Sequence, residues 1–304
     1  MSRYWLAAIG GGFACALIYS LTGVGSFGGV LLAYFAPLPL YLVGLSFGLT
    51  AGTVAGAVAT VTMALLGGVM SAGIFLLVNA LPTLVVIRQA LLSRYDNNGT
   101  TFWYPAGRLI ISITVMGVVL YTIAAIMLSA RPEGFQGSVE AFVTQLAEQM
   151  VPLEAADKRP GIVAMVAPIL PGFVVISWLV MVIVNAALAQ GLLVRFNRNK
   201  RSSPDITTMT FPGWFPVVAA IVALAGLVLP GTLGYYGGNL TAILIMPFFF
   251  MGLAVVHAIC RKRSTGAFLL VFFYGLLIIF GWLAVVVAML GLVEQWAELR
   301  RRFA

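Results

Sequence analysis

The sequence predicts an all-α fold: a polytopic transmembrane helical bundle of eight or nine helices, with Pro/Gly-broken segments and one external amphipathic helix. Three observations point there. Only 9% of the 304 residues are charged and 62% are hydrophobic, whereas a soluble domain carries about a quarter charged residues. The mean hydropathy of +1.06 agrees, and apolar runs recur at the length of about 20 residues that a helical crossing needs. The basic residues behind the net charge of +8 sit in short clusters between those runs. These are Arg88/Arg94/Arg108, Arg195/Arg198/Lys200/Arg201, Arg261/Lys262/Arg263 and Arg300/Arg301/Arg302. That is the distribution of cytoplasmic loops in a membrane protein, not a nucleic-acid-binding face. No polar stretch is long enough for a second fold, so residues 1–304 read as a single integral membrane domain.

The first apolar run, 4–22, follows Met1-Ser2-Arg3 and continues without a clear cleavage site, so it reads as a retained helix rather than a signal peptide. Ala8, Gly12 and Ala16, spaced four apart, give it a face for close helix packing or for a partner. The stretch 24–68 holds no charged side chain. It accommodates two short spans, or one span and a re-entrant segment. Pro37 and Pro39 each remove a backbone donor and mark a helix break, and Gly48, Gly52 and Gly56 form a second small-residue ladder. Two spans here give nine helices and an N-terminus inside, which Arg3 favours; one gives eight.

Next comes a span over 69–87 with Asn79 in Val78-Asn79-Ala80-Leu81-Pro82, then a cytoplasmic loop over 88–108 and a span over 108–129. The insertion 131–160 falls outside, and its acids (Glu133, Glu140, Glu148, Glu154, Asp157) outnumber Arg131, Lys158 and Arg159. After a Gly137-Ser138 N-cap, Val139, Phe142, Val143, Leu146 and Met150 share a helical face. This extracytoplasmic amphipathic helix is acidic and therefore packs better on protein than on anionic lipid.

The span 161–190 contains Ala167-Pro168-Ile169-Leu170-Pro171-Gly172, where Pro168 and Pro171 break the helix and free carbonyls, and Asn185 lies late in it. Residues 195–212 read as a flexible basic cytoplasmic loop. Spans over 214–231 and 240–260 flank an outer turn, 230–239, that carries Tyr235, Tyr236 and Asn239. A last span over 266–292 places the tail with Arg300–Arg302 outside, an exception to the charge rule.

Enzyme chemistry finds no footing. His257 is the only histidine, which excludes zinc pairs and histidine-based triads, and no apolar span holds two acids. Cys15 and Cys260 read as free buried thiols. The expectation is no enzyme, no cofactor, no catalytic residue and no metal. The ligand-binding candidates are Asn79, Asn185, Tyr235, Tyr236 and Asn239. A buried amide must find a hydrogen bond, so each asparagine either ties helices together or faces a ligand. The tyrosines are either interfacial aromatics or a lid over a pocket.

The glycine-rich first helix, the segment Ala36-Pro-Leu-Pro-Leu-Tyr-Leu-Val-Gly-Leu-Ser-Phe-Gly48 and the small-residue helix after it resemble the YybS-like family of bacterial membrane proteins. They are distantly similar to the S components of energy-coupling-factor transporters. The resemblance implies that Ala8, Gly12 and Ala16 form a face that docks on a coupling subunit, and that the 235–239 turn closes over substrate. More spans than six and the external insertion depart from that pattern.

The expected function is a transporter-like protein of the bacterial inner (cytoplasmic) membrane that captures a small molecule from the outer side. Its expected partners are the lipid bilayer, a membrane partner subunit and a small-molecule ligand, with no nucleic acid. The alternative is a non-transporting membrane scaffold or envelope assembly factor.

Overall fold

A computed structural model describes residues 2–21, 27–261 and 263–300. Lys262, Arg301 and Arg302 of the basic clusters lie outside the described residues. The described chain is almost wholly helical. Four helices are long and apolar enough to cross a membrane: Leu49–Ala90, Ala106–Ser129, Leu170–Arg195 and Gly231–Arg261. Five shorter apolar helices, Tyr4–Ser20, Leu31–Phe47, Trp214–Val228, Gly266–Ile279 and Leu283–Ala297, accompany them. The chain divides into two compact units, one built from residues 1–113 and 179–205, the other from 114–178 and 206–304.

In the first unit, α1 (Ser2–Ser20), α2 (Phe27–Ala33), α3 (Leu38–Phe47) and α4 (Leu49–Phe75) are followed by a π-helical turn, Leu76–Ala80, and α5 (Leu81–Ala90). The break expected at the prolines is present. Residues 34–37 are a turn, Pro37 is the N-cap of α3, and Pro39 lies in its first turn, where a missing N–H is tolerated. The long helix over 49–90 is itself folded at Gly68, whose φ of 76° and ψ of 178° suit only glycine. Gly52 faces Leu84 and Gly56 faces Ala80, so the two arms run antiparallel about Gly68. This is the boundary between 24–68 and 69–87 that the sequence suggests.

The loop after α5 holds an unforeseen antiparallel hairpin, β1 (Ser93–Tyr95) and β2 (Thr101–Trp103), with Ser93 opposite Trp103 and Tyr95 opposite Thr101. Asn97-Asn98-Gly99 supplies its tight connection, with Gly99 at φ 76°. The segment read as a flexible basic linker is instead pinned. Lys200 Nζ donates to the Phe47 carbonyl at 2.9 Å, and the Arg201 guanidinium donates to the Ala90 and Tyr104 carbonyls, each at 3.0 Å.

The second unit contains most of α6 (Ala106–Ser129), α7 (Gly134–Met150), a 3₁₀ turn over Leu153–Lys158, α8 (Arg159–Val166) and the start of α9 (Leu170–Arg195). It also holds α10 (Trp214–Val228), α11 (Gly231–Arg261), α12 (Gly266–Ile279) and α13 (Leu283–Ala297). Three expectations change here. First, α7 starts at Gly134, so Ser138 is inside the helix rather than capping it. Phe135, Val139, Val143 and Ala147 are buried, while Phe142, Leu146 and Met150 stay exposed.

Second, the supposed outer turn over 230–239 is helical from Gly231 onward. Its glycines serve close packing: Gly237 meets Gly226 of α10 backbone to backbone. Third, the single span over 266–292 is broken at 280–282 into α12 and α13. At 1.5 Å per residue each is only about 22 Å long, short of a full crossing. α13 lies antiparallel on α11, with Gly252 against Val287 and Gly291 against Phe248. It brings Gln295 to the Phe211 carbonyl and Arg300 to those of Ile206 and Met209. The tail therefore lies beside the end of the 195–212 loop and not across the bundle from it, because residues 266–292 do not make one crossing.

Candidate functional site

The first unit contains the more unusual polar arrangement. Pro82 has no N–H for the Val78 carbonyl and its ring crowds that turn, so the ladder slips: the Leu81 N–H reaches the Leu76 carbonyl, five residues back. Such π-turns recur at functional sites. The slip turns Asn79 inward, where it is 2% exposed, and its side-chain NH₂ has no hydrogen-bond partner. Four residues on, along the same face, lies Thr83, also buried. Tyr41 of α3 is fully buried with its hydroxyl facing Thr83, yet that hydroxyl makes no hydrogen bond of good geometry. Sequence reasoning missed Tyr41 and Thr83. A hydroxyl-bearing residue inside an apolar run was the available signal.

Asn185, on α9 in the same unit, is completely buried and ties helices. Its NH₂ donates to the Tyr34 carbonyl at 2.9 Å, holding the turn between α2 and α3, and to the Met181 carbonyl at 2.8 Å. Its side-chain oxygen has no partner. Asn79, Tyr41 and Asn185 thus offer two unused donors and one unused acceptor. A buried polar atom left unpaired costs about 1–3 kcal/mol, and none of the three side chains carries charge. This chemistry suits a neutral polar guest rather than an ion or a relayed proton.

The remaining candidates meet one another in the second unit. Pro171 cannot donate to the Ala167 carbonyl, and the break over 167–169 separates α8 from α9. The Tyr235 hydroxyl donates to the Ala167 carbonyl at 2.7 Å. Asn239 closes the rest: its oxygen accepts the Gly172 N–H at 2.8 Å and its NH₂ donates to the Pro168 carbonyl at 2.9 Å. Tyr236 stacks on Tyr121 at 4.9 Å and its hydroxyl bonds that of Thr122 at 2.7 Å. Tyr235 and Asn239 therefore repair the Pro168/Pro171 break while Tyr236 anchors on α6, and all three are helical, hydrogen-bonded residues that do not form a turn above a pocket.

The small-residue ladders are internal. Ala8, Gly12 and Ala16 are buried against α4, where a methyl group on Gly12 would lie 2.5 Å from the Ala55 carbonyl oxygen. Gly52 and Gly56 face α5 and the π-turn. Gly48 does not share their helical face: with φ at 109° it is the joint between α3 and α4. Among the described residues, no group of three or more His, Cys, Asp or Glu is placed to hold a metal ion.

No curated protein and no solved structure matches the chain. A family model described as predicted membrane protein, DUF2232, matches residues 13–294, nearly the whole length. Nothing in these comparisons bears on a likeness to YybS-like proteins or S components. The apolar helices, the broken spans and this match together place the chain in the DUF2232 family of membrane proteins.

Proposed function

We propose that the first unit binds a small, neutral, polar molecule at Asn79, and that the protein is transporter-like, capturing its ligand from the outer side of a bacterial inner membrane. The observation that carries this reading is the unpartnered, buried Asn79 amide on a π-turn, with the idle Tyr41 hydroxyl nearby. If Arg88 marks the cytoplasmic end of its span, Asn79 lies about 14 Å from that end by helical rise, near mid-depth. Transporters commonly place their sites there, on broken helices. No charged side chain joins the cluster, which argues against a proton-coupled carrier and against an enzyme.

A partner subunit, as S components have, would need a face other than Ala8/Gly12/Ala16, which is covered by the protein itself. The outward row of α1 is Leu6, Ile9, Phe13 and Leu17. The test is a ligand-induced thermal shift of the purified protein across a panel of vitamins and small metabolites. The expected result is stabilisation of the wild type by one candidate and loss of that shift in Asn79→Leu. No shift from any candidate, with the protein intact, sinks the reading.

A scaffold or envelope assembly role is favoured by one feature: the exposed apolar row Phe142, Leu146 and Met150 on α7, beside the acids Glu140 and Glu148. Isolation in mild detergent separates the readings. Co-purification of an ATPase-linked coupling subunit supports transport, and co-purification of envelope assembly proteins supports the scaffold.

A further inference from the structure

The hairpin between α5 and α6 borders a partly open cavity of about 410 Å³ lined by Ser93, Arg94, Phe102, Trp103, Tyr104 and Arg108, among others. Arg94 and Arg108 are exposed and make no ion pair among the described residues, and the Arg94 guanidinium lies 5.6 Å over the Phe102 ring. Behind the aromatic wall sits Arg201, only 6% exposed, 5.9 Å from the Trp103 ring. It is bonded to two carbonyls and to no carboxylate, and its Nε has no partner. Buried arginines are normally paired with acids. Here burial holds the guanidinium below its usual pKa, and no neighbouring carboxylate raises it again. The one acid of the hairpin, Asp96, accepts the Asn97 N–H at its tip.

We infer that this cavity binds the phosphate of an anionic phospholipid headgroup, held between Arg94 and Arg108 against the Phe102–Tyr104 wall. Arginine forks match phosphate oxygens. The cavity lies between the end of α5 and the start of α6, two apolar helices that by this reading leave the hydrocarbon there. Basic pockets at that level collect anionic headgroups, and the aromatic side chains suit the same interfacial depth. A soluble phosphate carries the same head chemistry but no acyl chains to lie along those helices.

The test is native mass spectrometry of the full-length protein in micelles offered equal phosphatidylglycerol and phosphatidylcholine. The wild type should retain phosphatidylglycerol preferentially, and the Arg94→Gln/Arg108→Gln variant should lose that preference by roughly tenfold or more. The Arg195→Gln/Arg263→Gln variant removes the same charge elsewhere and should keep it. Because Arg94 and Arg108 are exposed, the thermal midpoint should not move, which separates lost binding from lost folding. Equal retention of the two lipids, or an equal loss in both variants, overturns the inference. So does saturable binding of glycerol phosphate without a phosphatidylglycerol preference, which would assign the cavity to a soluble ligand.

Discussion

The two units each interrupt an apolar helix with proline and place an asparagine beside the interruption, but they resolve it in opposite ways. At Pro168/Pro171 the groups beside the break are taken up: the carbonyls of 167 and 168 and the N–H of 172 all find Tyr235 or Asn239. At Pro82 the slipped turn instead delivers Asn79 to a buried place where its NH₂ has nothing to bond. A polar residue at membrane depth is thus not by itself a sign of a binding site. What separates structure from candidate function is whether its hydrogen bonds are already made.

Substitutions can break this contrast. The largest effect is expected from Asn239→Leu, which strands the Gly172 N–H and the Pro168 carbonyl together. Loss of about 2–4 kcal/mol should appear as a marked fall in the unfolding midpoint in detergent. Gly68→Ala, which forces a side chain into a glycine-only conformation at the fold that brings Asn79 home, should cost about 1–3 kcal/mol in the same measurement. Tyr235→Phe removes a single hydrogen bond within the membrane and should cost about 0.6–1.5 kcal/mol. The smallest shift, of opposite sign, is expected for Asn79→Leu. Removing an amide that bonds nothing should leave the unliganded protein as stable as before or up to about 1 kcal/mol more so. A clear loss in Asn79→Leu would make the two breaks alike and remove the ground for a site.

Much of the architecture is legible in the sequence because it is written locally. The charge deficit gives the membrane class, Gly67-Gly68 marks the fold of the 49–90 hairpin, and the prolines mark both breaks at 34–37 and 167–169. What the sequence hides is long-range. Asn239 lies 67 residues from Gly172, and no periodicity encodes that bond. Residues 230–239 look like a turn because glycine usually signals one, whereas Gly226, Gly234 and Gly237 are there to let backbones touch. The 88–108 hairpin had a readable signal in Asn97-Asn98-Gly99, masked by the expectation of a simple loop. The Tyr41–Thr83 contact becomes visible only once α3 is laid on α5.

The Arg201 latch also sets an order on events during synthesis. Its two carbonyl partners, on Ala90 and Tyr104, precede it by 111 and 97 residues. Chains emerge at about 5–20 residues per second. The hairpin therefore exists for several seconds at least with those carbonyls open, while the two 49–90 arms, whose contacts with each other are local, can already pair. The first unit is finished only after the whole of α6 through α9 has been made, so any factor that attends its assembly must act across that interval.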